Sequence, residues 1–196
     1  ASFLGRINYS YLSKYLLTGS IRADGSSKFA PQNRWSYFPS GAIAWRLSEE
    51  GFMKHLNFIS DAKIRVSYGS TGNNRVPDYA YLSRVTISSG SGYSFNNVPV
   101  NASAINSLGN LNLKWETTTQ SDIFLDLGLF NQRISLEADV YKKITSNLLL
   151  NASVPGSIGF STAIKNIGKV QNEGIEITLN TINVNNKKFN WNTNFN

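Results

Sequence analysis

Three groups of residues have types and spacings that could support chemistry, and the first surrounds the only histidine. His55 follows Glu49 and Glu50 closely, which resembles part of a metal site. A zinc site needs further nitrogen or sulfur ligands, and the chain has neither a second histidine nor a cysteine. We therefore expect His55 to lie in a solvated turn that includes a short helix, and we predict no metal site.

The second group is a pair of carboxylates, Asp122 and Asp126, on one predicted strand. Residues four apart in a strand lie about 13 Å from one another, which is too far for either carboxylate geometry of a glycosidase.

The glycines of YGSTGNN are not followed by the Gly-Lys-Ser/Thr of a phosphate-binding loop, so we expect a turn there. The sequence thus predicts no enzyme and no cofactor.

The third group is a set of aromatic residues in the long predicted connection over residues 71–112. Aromatic rings can stack on sugar rings or on peptide side chains, and binding residues are common in loops. Packing of the connection on itself or on a partner is the alternative use of the same rings. The candidate substrate or lid contacts are Tyr79, Tyr81, Tyr93 and Phe95.

Composition favours a β-rich chain. Only 16% of the 196 residues are charged, against about 25% in a typical soluble domain, and Asn, Ser, Thr and Gly supply the polarity. The net charge is +7, but the lysines and arginines form no long run, so we expect no nucleic-acid partner. The chain contains no stretch of about 18 apolar residues, so we predict no membrane-spanning helix. The N-terminus does not resemble a signal peptide; if the protein is exported, we expect further residues before Ala1.

Eight segments alternate between apolar and polar residues, and KKFNWNTNFN is the clearest of them. Phe189, Trp191, Thr193 and Phe195 alternate there with asparagines. A period of two places the two sets on opposite faces of an extended strand. We predict an all-β fold of eight antiparallel strands.

In a transmembrane barrel the apolar face of each strand would contact lipid and the polar face would line the lumen. The candidate lipid-facing residues are Ile123, Leu125, Leu127, Ile134, Leu136, Val140, Ile175, Ile177 and Leu179. The candidate lumen-facing residues are Arg6, Arg22, Asp24, Lys63, Arg65, Asp122, Asp126, Glu137, Asp139 and Glu176. Aromatic residues near strand ends suit either an interfacial girdle or an ordinary core: Trp35, Tyr37, Trp45, Trp115 and Trp191.

The lengths of the predicted connections also favour a barrel. Short links near 12–14, 131–132 and 184–188 alternate with long ones near 25–35, 71–112 and 142–172, and the link at 47–61 is intermediate. Outer-membrane barrels have short periplasmic turns and long extracellular loops. On this interpretation the eighth strand runs outward, so we expect Asn196 to be a truncation.

Four stretches carry a resemblance to a known family. GSSKFAPQNRWSYFPSGAIAWRLSEEGFM (residues 25–53) is followed by KIRVSYGSTGNN (residues 63–74), and two later stretches are LKWETTTQSDIFLDLGLFNQRISLEADVYKKITSNLLL and VPGSIGFSTAIKNIGKVQNEGIEITLN. In this order they resemble the barrel of SusC/RagA-type TonB-dependent outer-membrane transporters. The last stretch carries Asn166, Gly168, Asn172, Gly174 and Glu176 of an Asn-x-Gly, Asn-x-Gly-x-Glu pattern.

The resemblance implies that residues 1–196 are part of one receptor barrel domain, in its C-terminal half. It implies about eight strands of a barrel of roughly 22, in the outer membrane of a Gram-negative, Bacteroidetes-like bacterium. Such transporters import oligosaccharides or peptides past a plug domain, using energy delivered by TonB, and a SusD-like surface lipoprotein forms a lid. The sequence contains neither the plug nor a TonB box.

Two other interpretations remain open at this point. One is a secreted β-sandwich module that binds carbohydrate or mediates adhesion. The other is a complete, independent eight-stranded outer-membrane barrel. The uninterrupted apolar faces of residues 123–129 and 134–140 favour lipid contact over the sandwich, and the outward direction of the eighth strand disfavours the small barrel.

Overall fold

The computed structural model describes the backbone of residues 1–196 and all side chains except those of residues 88–91 and 93. Four 3₁₀ helices cover Pro31–Asn33, Leu47–Glu49, Met53–His55 and Gly156–Ile158. Within the described residues, no helix is long and apolar enough to cross a membrane. The strands are β1 (Ser2–Tyr11), β2 (Tyr15–Gly25), β3 (Trp35–Arg46), β4 (Ile59–Asn73), β5 (Arg84–Phe95), β6 (Val98–Ser107), β7 (Glu116–Leu129), β8 (Ile134–Ser146), β9 (Leu149–Ser153), β10 (Thr162–Asn166), β11 (Lys169–Asn185) and β12 (Asn190–Phe195).

Eight of these strands form one antiparallel sheet in the order β1-β2-β3-β4-β7-β8-β11-β12. They coincide with the eight strands predicted from alternation, so the all-β expectation is confirmed. The sheet is open, because β1 pairs only with β2 and β12 only with β11. The interpretation as an independent eight-stranded barrel is therefore wrong. The sandwich interpretation is also wrong, because the apolar face of the sheet is exposed to solvent instead of packing on a second sheet.

The remaining four strands were not predicted. β5 and β6 form a hairpin inside the connection expected over 71–112, and β9 and β10 form another inside that expected over 142–172. The first hairpin turns at Asn96 and Asn97, which both have positive φ, as a two-residue type I′ turn requires. Its register is interrupted twice, and β9 and β10 have five residues each. Neither hairpin therefore gives a long alternating pattern in the sequence.

Side chains of the main sheet segregate by face, apart from exceptions such as Phe124 on the polar side and Lys142 and Glu173 on the apolar side. Residues directly opposite one another in adjacent strands share a face. One such row is apolar across seven strands and exposed throughout: Tyr9, Leu17, Ile43, Val66, Ile123, Val140 and Ile175. A row on the other face is Arg6, Ser20, Ser40, Gly69, Gln120, Lys143 and Asn172. We call these two sides the apolar face and the polar face.

The short connections gather at one end of the sheet, and a carboxylate ties two of them together. Glu50 accepts hydrogen bonds from Lys14 Nζ at 2.9 Å, Tyr15 OH at 2.9 Å and Trp45 Nε1 at 3.2 Å. The Tyr15 and Trp45 rings stack with centroids 6.3 Å apart. Hydrogen bonds from Lys14, Tyr15 and Trp45 hold the pKa of Glu50 below its usual value, and the bond to Glu50 raises the pKa of Lys14.

We predict that acid loosens this end of the sheet. Because the pKa of Glu50 is lowered in the folded state, its contribution to stability is present above about pH 4.5 and is lost as the pH falls through the lowered pKa. Hydrogen exchange of residues 12–15, corrected for intrinsic rates, should accelerate between pH 5 and 3. Glu50→Gln should give fast exchange at both pH values, and Glu49→Gln, at an exposed neighbour, should behave as wild type. Exchange independent of pH in the wild type would contradict the assignment.

Candidate functional site

The polar face contains a shallow depression of about 450 Å³. Its floor is made of small side chains on β2, β3 and β4, which leave room that larger residues would fill. Two cationic side chains, Arg6 on β1 and Lys143 on β8, stand at its sides. The lining includes Thr18, Ser20, Ser40, Ala42, Ser67, Gly69, Thr71, Thr118, Gln120 and Asp122.

The hydroxyl, amide and carboxylate groups of this depression bond to one another, both across strands and within β7. The Oγ atoms of Ser20 and Ser40 are 2.7 Å apart. Asp122 accepts hydrogen bonds from Ser67 Oγ at 3.0 Å and from Gln120 Nε2 at 2.7 Å. Groups held in this way present many donors and acceptors at fixed positions, which suits contact with water, hydroxyls or amides.

All ten residues predicted to face the lumen lie on the polar face, and all nine predicted to face lipid lie on the apolar face. The register therefore groups each predicted set on one side of the sheet. Which side meets lipid stays a prediction at this point. Asp24 differs from the other residues predicted to face the lumen because it is buried. It accepts hydrogen bonds from Ser2 Oγ at 2.5 Å and from Arg22 Nε at 2.7 Å.

Several charged residues of the polar face are held by neighbouring side chains. Asp126 lies 2.6 Å from Lys63 Nζ, so it does not form an acid and base pair with Asp122. The Arg65 guanidinium lies 4.6 Å from the centroid of the Phe124 ring. Asp139 differs from these residues, because its Oδ1 is buried without a hydrogen-bond partner among the described residues.

Asp139 lies in a second depression of the polar face, of about 260 Å³. Glu176 is directly opposite it on β11, and Tyr141 donates a hydrogen bond to Asn172 Oδ1 at 3.1 Å. The Tyr141 ring lies over Gly174, where an added Cβ would come within 3.0 Å of the phenol oxygen. The depression thus has an acidic side and an amide side.

No group of three or more potential metal ligands is present among the side chains that the structure describes. His55 ends the 3₁₀ helix Met53–His55 at the end of the sheet with the short connections, which confirms the expected turn with a short helix. Glu50 is occupied by the three donors described above. The structure therefore does not bring His55 and Glu50 together as ligands.

The three long connections fold together around a hydrophobic cluster, which we call the loop core. Phe29 and Leu113 are fully buried in it, with 0% exposure, and the Trp115 ring packs against Phe29 and Phe38 at centroid distances of 5.4 and 5.7 Å. Its buried members are Phe29, Phe38, Val76, Ala80, Leu113 and Trp115, with Leu149 and Ile164 packed against them.

Phe38 joins the loop core to the sheet. It is a polar-face residue of β3 paired with Arg22, and the Arg22 guanidinium lies 5.7 Å from its ring centroid. The ring lies directly over Gly72 of β4, where an added Cβ would fall 2.0 Å from Phe38 Cζ. Glycine at this position is therefore required for the loop core to sit on the sheet.

Side chains also bond the long connections to one another. Asn166 donates to the carbonyls of Lys114 at 2.7 Å and Asn147 at 2.9 Å, and its Oδ1 accepts from Lys114 N at 2.9 Å. Glu116 accepts from Asn73 Nδ2 and from Leu149 N, each at 3.1 Å. The connections thus form one bonded unit rather than separate loops.

The aromatic residues predicted as substrate or lid contacts are not brought into one place. Tyr79 and Tyr81 form a pair with ring centroids 6.4 Å apart, in the connection before β5. Phe95 is highly exposed at the far end of the β5–β6 hairpin. Tyr93 lies outside the described side chains.

Trp115 corrects one interpretation of the sequence. A place in an interfacial girdle is wrong for it, because only 8% of the residue is exposed and its Nε1 donates to Arg34 O at 3.2 Å. Trp35, Tyr37, Trp45 and Trp191 are exposed, on the apolar face. Sequence reasoning missed Phe29 and Leu113 as core residues, because both lie outside the predicted strands.

Comparison with known proteins gives consistent matches along the chain. The family described as TonB dependent receptor-like, beta-barrel matches residues 2–196. TonB-dependent receptor P3 of Formosa agariphila is 42% identical over 196 residues, all of this chain and 19% of the relative. TonB-dependent receptor SusC of Bacteroides thetaiotaomicron is 38% identical over 198 residues, all of this chain and 20% of the relative.

A solved structure of the RagAB peptide importer in its closed-closed state matches with a TM-score of 0.88 and 30% identity, over 98% of this chain and 21% of that one. The eight-stranded open sheet is thus a segment of a β-barrel wall. The chain belongs to the TonB-dependent receptor β-barrel family, of the SusC and RagA type. It is an outer-membrane protein of a Gram-negative Bacteroidetes bacterium, from a transport family. It spans about a fifth of the length of the relatives that it matches.

We predict that Asn166 holds the long connections together. Asn166→Ala removes the amide that bonds Lys114 and Asn147, and each lost bond to a neutral partner costs about 0.5–1.5 kcal/mol. Limited proteolysis of the barrel should then cut residues 147–168 several times faster than in wild type. Asn101→Ala, at an exposed position of β6, is the matched control and should leave the cleavage rate unchanged. Equal cleavage of wild type and Asn166→Ala would show that the amide does not order this segment.

Proposed function

We propose that the chain forms part of the wall of an importer that takes up oligosaccharides or peptides across the outer membrane with energy delivered by TonB. It acts in transport and not as an enzyme. The observation that carries the proposal is the division of the sheet into two faces. A continuous exposed apolar face suits lipid, and a continuous polar face suits a water-filled lumen.

In this proposal the open edges of β1 and β12 pair with further strands of the same barrel. A bilayer cannot satisfy free backbone N–H and C=O groups, so a membrane-spanning sheet must close. Residues 1–196 then belong to one barrel domain of roughly 22 strands, whose plug domain and other strands lie outside this chain. TonB would act through that plug.

The loop core places a firm platform at the end of the sheet that we assign to the cell exterior. Trp115 packs on Phe29 and Phe38 at the centre of this platform, and Leu149 and Ile164 of the third connection pack against it. The exposed Tyr79 and the β5–β6 hairpin therefore project from an ordered base. We propose that a SusD-like surface lipoprotein docks on this side and that Tyr79, Tyr81, Tyr93 and Phe95 contact the lid or the cargo. Exposed aromatic residues are typical of such contacts.

The chemistry of the polar face bears on the cargo. Its two depressions present hydroxyl, amide and carboxylate groups together with the cationic side chains of Arg6 and Lys143. Such a wall offers hydrogen bonds without a strong preference for one charge. This supports neutral or zwitterionic polymers, and both oligosaccharides and peptides fit that description.

A pair of neighbouring substitutions tests which face meets lipid. Ile123→Arg puts a charge on the apolar face, where such a charge costs up to about 2–4 kcal/mol at the middle of the bilayer and less toward its interfaces. Asp122→Arg puts the same side chain on the polar face, one residue away. We expect the first variant to assemble poorly and the second to reach near wild-type amounts of heat-resistant barrel in the outer membrane. Equal assembly of both variants, or the reverse order, would contradict the assignment.

Import itself is tested in the native bacterium with the gene deleted and then restored. Growth on defined oligosaccharide and peptide mixtures should fall for one class of nutrient and return with the wild-type gene. The same defect should follow deletion of TonB, because the proposed uptake needs its energy. Unimpaired uptake of every mixture by the deletion strain would refute the proposed function.

A further inference from the structure

The apolar face carries a groove of about 630 Å³ on strands β4, β7, β8 and β11. Ser121 is a small residue at its centre, between Tyr68 on one side and Lys142 on the other. The lower part of the groove is apolar, formed by Val66, Ile123, Val140 and Ile175. Ile123 and Ile175 are 57% and 69% exposed, so the groove is open along its length.

An ion pair stands at one end of this groove. Lys142 is directly opposite Ser121 of β7 on one side and Glu173 of β11 on the other, one row above Ile123. Lys142 Nζ lies 3.7 Å from Glu173 Oε2, and both side chains are more than half exposed. Gln171 Nε2 donates to the same Oε2 at 2.9 Å. An exposed ion pair of this kind adds little to the stability of the protein. Both charged groups can therefore bind another partner at little cost.

The register indicates that this ion pair lies at the edge of the lipid-facing band. Ile7, in the middle of the apolar set of β1, is in the same row as Tyr68, Lys142 and Glu173. On β11 the apolar set begins only with Ile175. Strands of a barrel are tilted, so a level band of lipid crosses successive strands at shifted rows. Lys142 and Glu173 therefore lie just above the band, toward the long connections.

A membrane lipid has the same arrangement of parts as this groove. Its acyl chain needs an apolar channel, and its headgroup lies at the interface beside charged and amphipathic side chains. A cation and an anion 3.7 Å apart complement a headgroup that carries both a phosphate and an ammonium group. A purely anionic headgroup would meet repulsion from Glu173.

We propose that this groove is a binding site for a lipid with a phosphoethanolamine headgroup. The phosphate pairs with Lys142, the ammonium pairs with the Glu173 carboxylate, and one acyl chain lies along Ser121, Ile123 and Val140. The Tyr68 hydroxyl is on the opposite side of the groove and can donate to the phosphate. The inference rests on the proposed lipid-facing role of the apolar face and adds to it a preference among lipids.

Native mass spectrometry of the whole transporter, purified from the outer membrane, tests this site. The probes are phosphatidylethanolamine and phosphatidylglycerol with matched acyl chains, added in equal amounts. The wild type should retain about two- to fivefold more phosphatidylethanolamine, as expected for one exposed charge pair. Glu173→Gln should remove the preference, and Lys142→Gln should reduce the retention of both lipids. Lys143→Gln and Glu176→Gln change the same residue types on the polar face and should retain lipid as the wild type does.

Two results would overturn the inference. Equal retention of the two lipids by the wild type would exclude recognition of the headgroup. Equal loss in Lys142→Gln and Lys143→Gln would exclude this groove as the site. In either case, a wild-type protein that is assembled in the outer membrane and imports its nutrient would leave the proposed function standing. A wild-type protein absent from the outer membrane would refute both the lipid site and the proposed function.

Discussion

Backbone pairing between the eight antiparallel strands is the constraint on which the rest of the structure depends. Because side chains alternate along each strand and align across it, one register decides the face of every residue. A slip of one residue on β7 would move Ile123 to the polar face and Asp122 to the apolar face. The uninterrupted rows from β1 to β11 show that no strand is slipped in the middle of the sheet, and the register shifts only near strand ends, at Ile59–Asp61 and Ile182–Val184.

The two ends of the sheet are held by different interactions, and this difference matters for function. At the short-connection end, Glu50 accepts three hydrogen bonds and ties the first turn to the link between β3 and β4. At the other end, apolar packing around Trp115 and the Asn166 amide combine three long connections into one unit. Long loops are usually the most mobile parts of a fold. Here a buried core of their own orders their bases, while the hairpin tip stays exposed.

The sequence was sufficient to predict the sheet but not the loop core. Alternation identified all eight strands and sorted polar from apolar residues, because a period of two is a local property that a strand must show. The loop core joins Phe29, Phe38 and Leu113 from distant parts of the chain, and a local pattern does not show which distant residues will meet. The sequence left the place of Trp115 open for the same reason, since its position near a strand end fits a girdle and a core equally well. The short strands of the two loop hairpins gave too few residues for alternation to be recognised.

The account depends most on the claim that β7 has one face in lipid and the other in water. Single cysteines placed in turn at residues 120–128 can each carry a nitroxide label, because this segment has no cysteine of its own. Oxygen concentrates in lipid, and a polar nickel reagent concentrates in water. The accessibility of each nitroxide to the two reagents therefore reports whether it lies in lipid or in water. In the assembled outer-membrane protein, oxygen accessibility should peak at positions 123, 125 and 127 and nickel accessibility at the even positions. Accessibility without a period of two, or nickel access at 123 and 125, would contradict the account.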